Sequence, residues 1–332
     1  MLIYGYCHNT GMARDDRHGL PGQVKPEHVP TTLREDFGTK SCKWCGSMDI
    51  VKSSIRRTKK GNVQRYRCRD CNRKFSGVPG FRYRRHSEAM ITAALNMYHS
   101  GMSLRDIEDH YAQQGVDLDH STVYKWVKRY GRLAGDFIET VRPDVSETWR
   151  TDEVYIKLQG RPNYLYAMID HKSRYYLAGQ MGTRKGSDFL RTMFDQASTR
   201  SGFIPGRLIS DGAQNFHLAW HEFWRQKNPH HKETEHVRHV HVAGDMNNNR
   251  MERFNGTIRE REVNYRGLKI EGGVLPGFMV HYNHVKRHGG LRGGTPGEAA
   301  GIHIPARNKW MTIIQNASRH YHRAAQEAAP AA

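Results

Sequence analysis

The spacing of apolar residues divides this chain into stretches of different period. Residues 1–38 show no period and mix Gly, Pro and charge, which predicts a poorly ordered leader. Met90, Ile91, Ala94, Met97 and Tyr98 then make a helical stripe that stops at Gly101. Ser103 offers an N-cap with Asp106 three residues on, close to a capping box, and Leu104, Ile107 and Tyr111 carry a second helix as far as Gly115. Ser121 opens a third, in which Val123, Trp126, Val127 and Tyr130 face inward. Thr122, Tyr124, Lys125 and Lys128 are left on an outer polar and basic face of the kind that enters a major groove. These four are DNA-binding candidates in a helix-turn-helix domain expected over 79–135. A plain three-helix bundle would show the same stripes, and residues 113–120 are longer than the usual turn.

From 148 onward the period changes to two. WRTDEVYIKL (149–158), 163–170 and 175–181 read as an antiparallel meander, with a turn at 170–174. A helix over 186–200, a short strand over 207–210, a helix over 213–225, a strand-like run over 235–242 and a helix over 247–262 follow. The order β-β-β-α-β-α-β-α is that of an RNase H-like α/β core with a mixed five-stranded sheet, expected over 146–265. Residues 266–332 form a C-terminal segment, Gly-rich with a basic and aromatic centre, and AAQEAAPAA at 324–332 reads as a frayed tail.

Composition narrows the partners. The 332 residues hold 52 Lys and Arg against 33 Asp and Glu, a formal charge of +19, which suits a polyanion. No run approaches the roughly 18 apolar residues of a membrane span, and no signal-peptide apolar region opens the chain, so a cytoplasmic protein is expected. Cys42 and Cys45, then Cys68 and Cys71, are two C-x2-C pairs of the kind that holds zinc, and strands over 49–55 and 62–67 joined at Lys60 and Gly61 would complete a zinc ribbon over 39–78. Disulfides or four buried thiols are the alternatives. With all four positions filled by protein, such a zinc would be structural.

Carboxylates supply the candidate chemistry. Asp152 shares its parity with Val154, Ile156 and Leu158, so it lies on the apolar face of its strand, whereas Glu153 falls on the other side as a solvated neighbour. Asp211 stands at the end of the 207–210 strand, where α/β sheets gather ligands. On the 247–262 helix Met251, Phe254 and Ile258 form an apolar stripe beside a second row of Glu252, Asn255 and Arg259. Two Asp and one Glu can hold two hard divalent cations through oxygen, the arrangement that drives in-line phosphoryl displacement. The histidines His230, His231, His236, His239 and His241 are read as strand or DNA contacts and not as a second zinc site. Lys286, Arg287, His288 and Arg292 form a basic flank that is either a hold for DNA or a solvated charge run.

These stretches carry a resemblance. The two C-x2-C pairs, STVYKWVKRY (121–130), TDEVYIKL (151–158), SDG (210–212), NNRMERFNGTIRERE (248–262) and YNHVKRHGGLRGGTPGEAAGI (282–302) look like the insertion-sequence DDE transposases with an integrase-like core, especially insertion-sequence family six and its archaeal relatives. The resemblance covers about 40–315 and excludes the leader. It implies Asp152, Asp211 and Glu252 as the catalytic, metal-binding triad, with two Mg²⁺ or Mn²⁺ per site and Asn255 and Arg259 supporting them. It also implies transposon ends and target DNA as partners, a homodimer or higher oligomer on DNA, and a nucleoid-associated prokaryotic protein. The rival functions are an RNase H-type nuclease without strand transfer and a zinc-ribbon, helix-turn-helix transcription regulator.

Overall fold

The computed structural model describes residues 31–33, 42, 44–45, 47, 49–58, 61–76, 81, 86–158, 161–211, 213–227, 235–238, 248–265 and 274–327. The first described residues, Thr31–Thr32, form strand β1, which runs parallel to Ile302–His303 near the far end of the chain. Leu33 beside it is buried. The last part of the expected leader is therefore tied down by backbone pairing, a long-range contact that leaves no local period.

A small sheet follows, with β2 (Ile50–Thr58), β3 (Gly61–Cys68) and β4 (Lys74–Phe75) in that order and all antiparallel. Gly61 opens β3, and Lys60, the other residue of the expected turn, lies outside the described residues. Phe75, Trp44, Ile50 and Tyr66 pack with the cysteines in a core of their own.

Helices α1 (Glu88–Ser100), α2 (Leu104–Ala112) and α3 (His120–Glu139) come next. Ser87 caps α1, the capping box of Ser103 and Asp106 is made in full, and Gly101 ends α1 at φ 120°. Asp119, two residues before the expected start at Ser121, caps α3 by accepting from the Ser121 amide at 2.7 Å. The 20-residue α3 runs past 135, so the expected domain boundary falls inside a helix. Its second half buries Ala134, Phe137 and Ile138. Gly135 makes room there for α7 (Val274–Val280), since a Cβ at 135 would stand 2.4 Å from the Pro276 Cβ. The three helices and the C-terminal segment thus share one core.

The central sheet contains β5 (Thr148–Leu158), β6 (Arg161–Asp170), β7 (Tyr176–Gly182), β8 (Arg207–Ser210) and β9 (Glu235–Arg238), in the spatial order β7-β6-β5-β8-β9. The β5–β6 and β6–β7 pairs are antiparallel, whereas β5–β8 and β8–β9 are parallel. A three-stranded meander extended by two parallel strands is the RNase H-like sheet that the periodicity predicts. Helices α4 (Ser187–Ser201) and α5 (Gln214–Lys227) cover one face, through Leu190, Met193, Phe194, Phe216 and Trp220. Helix α6 (Asn249–Tyr265) covers the other, where Met251, Phe254 and Ile258 pack with Val154, Ile156, Ala167 and Tyr176. Burying side chains of this size contributes about 1.5–3 kcal/mol each, which holds α6 against β5.

The C-terminal segment is part of the body of the protein. After α7 the chain makes a π-helical turn, His281–Val285. There the buried Asn283 accepts from the Tyr176 amide at 2.8 Å and donates to the Tyr176 carbonyl at 3.0 Å. A side chain therefore satisfies the backbone at the start of β7. Helix α8 (Pro296–Ala299) and β10 (Ile302–His303) lead into α9 (Lys309–Glu327), which packs on α1 and α3. The expected frayed tail begins inside α9, and only 328–332 lie outside the described residues. Among the described residues no helix is long and apolar enough to cross a membrane.

Candidate active site

Strand register brings the two aspartates together. Trp149 pairs with Leu208 and Arg150 with Ile209, so continuing the parallel register by two residues sets Asp211 beside Asp152. Both lie on the face that α6 covers, since side chains alternate and Val154 and Ile156 pack on that helix. Glu252 occupies the first turn of α6 and is exposed. Asn255, nearly one turn later and buried, reaches the strand: its Nδ2 donates to Asp152 Oδ2 at 2.6 Å. The Glu153 amide donates to Asp152 Oδ1 at 2.8 Å, so both carboxylate oxygens are oriented. Arg259 continues the Glu252–Asn255 row and is exposed.

Electrostatics mark Asp152. Burial raises its carboxyl to about 6, the Glu153 amide opposes that rise, and the nearby Asp211 charge adds to it. Asp211 is exposed, and its Oδ1 accepts from the Ala213 amide at 3.0 Å. Buried Oδ1 atoms of Asn248 and Asn255 have no hydrogen-bond partner among the described residues. A divalent cation fits this donor set: the ligands are hard oxygens, and positive charge would relieve the crowding of Asp152 by Asp211. The three carboxylates stand apart, however. Among the described residues, ligand-type side chains gather within 4.8 Å of one another at the four cysteines and at Glu108, Asp119 and His120, and not at Asp152, Asp211 and Glu252.

Glu153 departs from expectation. It lies opposite Asp152 but is only 12% exposed, in an ion pair with Lys185 of the β7–α4 loop. The sheet is covered on both faces, so parity alone could not make this residue solvated.

The cysteines converge. Sγ atoms of Cys42 and Cys71 are 3.5 Å apart, as are those of Cys45 and Cys68. A tetrahedral zinc with bonds of about 2.3 Å would separate its sulfurs by roughly 3.8 Å, so little movement is needed. Burial pushes the Cys42 thiol up to about 12. It pushes Cys68 the same way, but hydrogen bonds from the Cys71 amide and from the thiols of Cys45 and Cys71 bring Cys68 down to about 7.

On α3, Lys125 is exposed, Thr122, Tyr124 and Lys128 are half-buried, and the Lys128 ammonium lies 5.5 Å from the centre of the Tyr124 ring. Of the five histidines in the 230–241 stretch, His236 alone lies among the described residues. Its Nε2 meets Ser210 Oγ at 2.9 Å and its Nδ1 meets His217 Nδ1 at 3.4 Å, so it joins β9 to β8 and α5. The basic flank is divided. Arg287 and Arg292 are exposed, Lys286 reaches Thr257 on α6, and His288 packs edge-on against Tyr282. Burial holds His288 neutral, with its pKa lowered to about 4.

A group of cations at the β6–β7 turn leaves no mark in the local period of the chain. The buried Arg150 places its Nε 3.0 Å from His171 Nδ1, Arg250 of α6 donates to the His171 carbonyl at 2.6 Å, and Arg174 closes the turn at φ 59°. The sequence offered only one hint, that so many arginines flank one turn and one helix start.

The sheet order is that of an RNase H-like core, and comparison with known proteins adds to it. Residues 146–288 match the family model of a DDE domain, and the match includes all three carboxylates. Over about two thirds of its length the chain is similar to transposases of insertion sequences. It is 26% identical over 214 residues to the transposase for insertion sequence-like element IS431mec of Staphylococcus aureus, covering 63% of this chain and 89% of that protein. The transposase for insertion sequence element IS257 in transposon Tn4003, also from Staphylococcus aureus, matches to the same extent. Among solved structures, the HTLV-2 integrase catalytic core domain in complex with magnesium aligns with 48% of this chain and 98% of its own, at 17% identity and a TM-score of 0.37.

Proposed function

We propose that this protein is a DNA transposase in which Asp152, Asp211 and Glu252 hold a pair of divalent cations, Mg²⁺ or Mn²⁺, for DNA cleavage and strand transfer. The observation that carries this reading is the bond from Asn255 to Asp152: it ties the helix bearing Glu252 to the strand bearing Asp152, with Asp211 next in register. Bound divalent cations supply an activated hydroxyl and charge stabilisation at the leaving oxygen. The chain's own residues do the positioning. Asn255 and the Glu153 amide orient Asp152, the apolar stripe of α6 sets the height of Glu252, and Arg259 extends the row toward an approaching phosphate. Water and then a DNA 3′-hydroxyl can use the same pocket in turn, because whichever hydroxyl is aligned with the scissile phosphate reacts.

The accessory parts fit the same role. A structural zinc on Cys42, Cys45, Cys68 and Cys71 makes the small sheet a zinc ribbon, and α2–α3 act as a helix-turn-helix in which Thr122, Tyr124, Lys125 and Lys128 face the element's end. The seven residues between α2 and α3 are braced by His120 Nδ1, 3.0 Å from Glu108 Oε2. Two copies or more act together on DNA.

The test is strand transfer. A pre-cleaved element end with a free 3′-hydroxyl should be joined to target DNA in Mg²⁺ or Mn²⁺, whereas Ca²⁺ should support binding without joining. A 3′-dideoxy end should block joining while an uncut end is still nicked. Nicking without joining from any pre-cleaved end would favour a nuclease, and specific binding with neither reaction would favour a regulator.

A further inference from the structure

We infer that Arg174, Arg250 and Arg253 form a phosphodiester-binding site beside Glu252, shaped in advance by the glycine-rich turn at 289–294. The inference deepens the transposase reading and rests on it for the identity of the ligand as DNA. Arg250 and Arg253 flank Glu252 on α6, three residues apart and so on one side of the helix. Arg174 comes from the β6–β7 turn. Its backbone adopts the left-handed region at φ 59°, a conformation that costs energy for a residue with a Cβ. The chain passes directly over its guanidinium at Gly290, where a Cβ would stand 2.2 Å from a terminal nitrogen of Arg174. Arg250 is held in place by its 2.6 Å bond to the His171 carbonyl.

Arg174 stands among charges of its own sign from α6. Burial lowers its pKa first, Arg250 and Arg253 add to that, and the Tyr282 hydroxyl acts the other way. The acid of this turn does not offset them, because Asp170 is buried and turned inward. Its Oδ1 accepts from the Ser146 amide and hydroxyl, and its Oδ2 accepts from the Lys172 and Ser173 amides and the Ser173 hydroxyl. Guanidinium groups gathered at the start of a helix, where the helix dipole is also positive, are stabilised by a polyanion that passes there. A nucleic-acid backbone running past Glu252 meets that description. The same phosphodiester chemistry could come from the element's end or from target DNA.

Duplex binding by the full-length protein, measured against salt in Ca²⁺, tests the site without requiring any reaction. Two probes are used, a pre-cleaved end duplex and an unrelated duplex. Arg174→Gln and Arg253→Gln should each weaken binding by about 10-fold at moderate salt and lower the slope of log affinity against log salt by about one. Arg174→Lys, which keeps the charge, should recover most of the slope and guards against a mere folding defect. Arg191→Gln, on α4 and paired with Glu222, should behave as the parent protein. Loss on the end duplex alone assigns the site to the element's end, and loss on both assigns it to either DNA. Unchanged slopes on both probes with all the arginine variants would overturn the site, even if strand transfer works. Intact duplex binding with no cleavage or joining in Mg²⁺ counts against the transposase reading and leaves the site standing.

Discussion

The four cysteines and the three carboxylates are both candidate metal sites, and the fold treats them in opposite ways. The thiols lie within 4.8 Å of one another, two pairs at 3.5 Å, and pack with Phe75, Trp44 and Tyr66 in a small core. The carboxylates do not gather to that range, and two of them are exposed. The difference follows from charge. Thiols can stay neutral and pack like small apolar groups, so a chain can bring them together before metal arrives. Carboxylates repel, and burying one beside another raises its pKa, as at Asp152. A site that only holds the fold together can therefore be closed by its own side chains, whereas one that admits a substrate keeps a position open.

This contrast can be broken most severely at the triad. Asp152→Asn, Asp211→Asn and Glu252→Gln should each reduce cleavage and joining by at least about 10³-fold, since metal ions contribute several kcal/mol to such reactions. Binding to the element's end should be nearly unchanged. Substantial cleavage by any one variant would remove that residue from the site.

The thiol site should respond through the fold and not through a rate. Purified protein should contain about one zinc per chain, and Cys68→Ser should unfold the small sheet while the main thermal transition persists. A folded small sheet with no zinc, or a disulfide between Cys42 and Cys45, would collapse the distinction between the two sites.

Asn255→Ala should have a smaller effect, about 10–100-fold on rate, as expected for a group that chiefly orients a proposed metal ligand. Its signature is a raised metal requirement: more Mg²⁺ should restore part of the activity. If saturating Mg²⁺ restores none, Asn255 does more than orient Asp152.

The smallest effect concerns stability without metal. The folded pKa of Asp152, about 6, lies above its ordinary value of 3.8, so the folded chain holds this proton more tightly than the unfolded chain. The associated stability is present below about pH 4 and is lost as pH rises through 6. Asp152→Asn should thus stabilise the metal-free protein at pH 8, on the order of 1–2 kcal/mol after allowing for partial exposure, and should make little difference near pH 4. Thermal melts in EDTA at the two pH values measure this, and equal shifts at both would mean that the carboxyl is not strained.

Local period and side-chain chemistry account for one part of this fold. The capping box at Ser103, the alternation that turns Asp152 toward the apolar face, the row of Glu252 and Asn255 on α6 and the paired cysteines all arise from neighbours a few residues apart. Long-range packing set the rest. It half-buried Glu153 by covering the second face of the sheet, drew Thr31–Thr32 onto Ile302–His303, and ran α3 past 135 into contact with α7. It also brought Arg174 from a turn to the arginines of α6 and laid Gly290 across it. Each of these depends on segments tens to hundreds of positions apart, whose meeting is set by sheet order and core packing. No periodicity within a single segment records it.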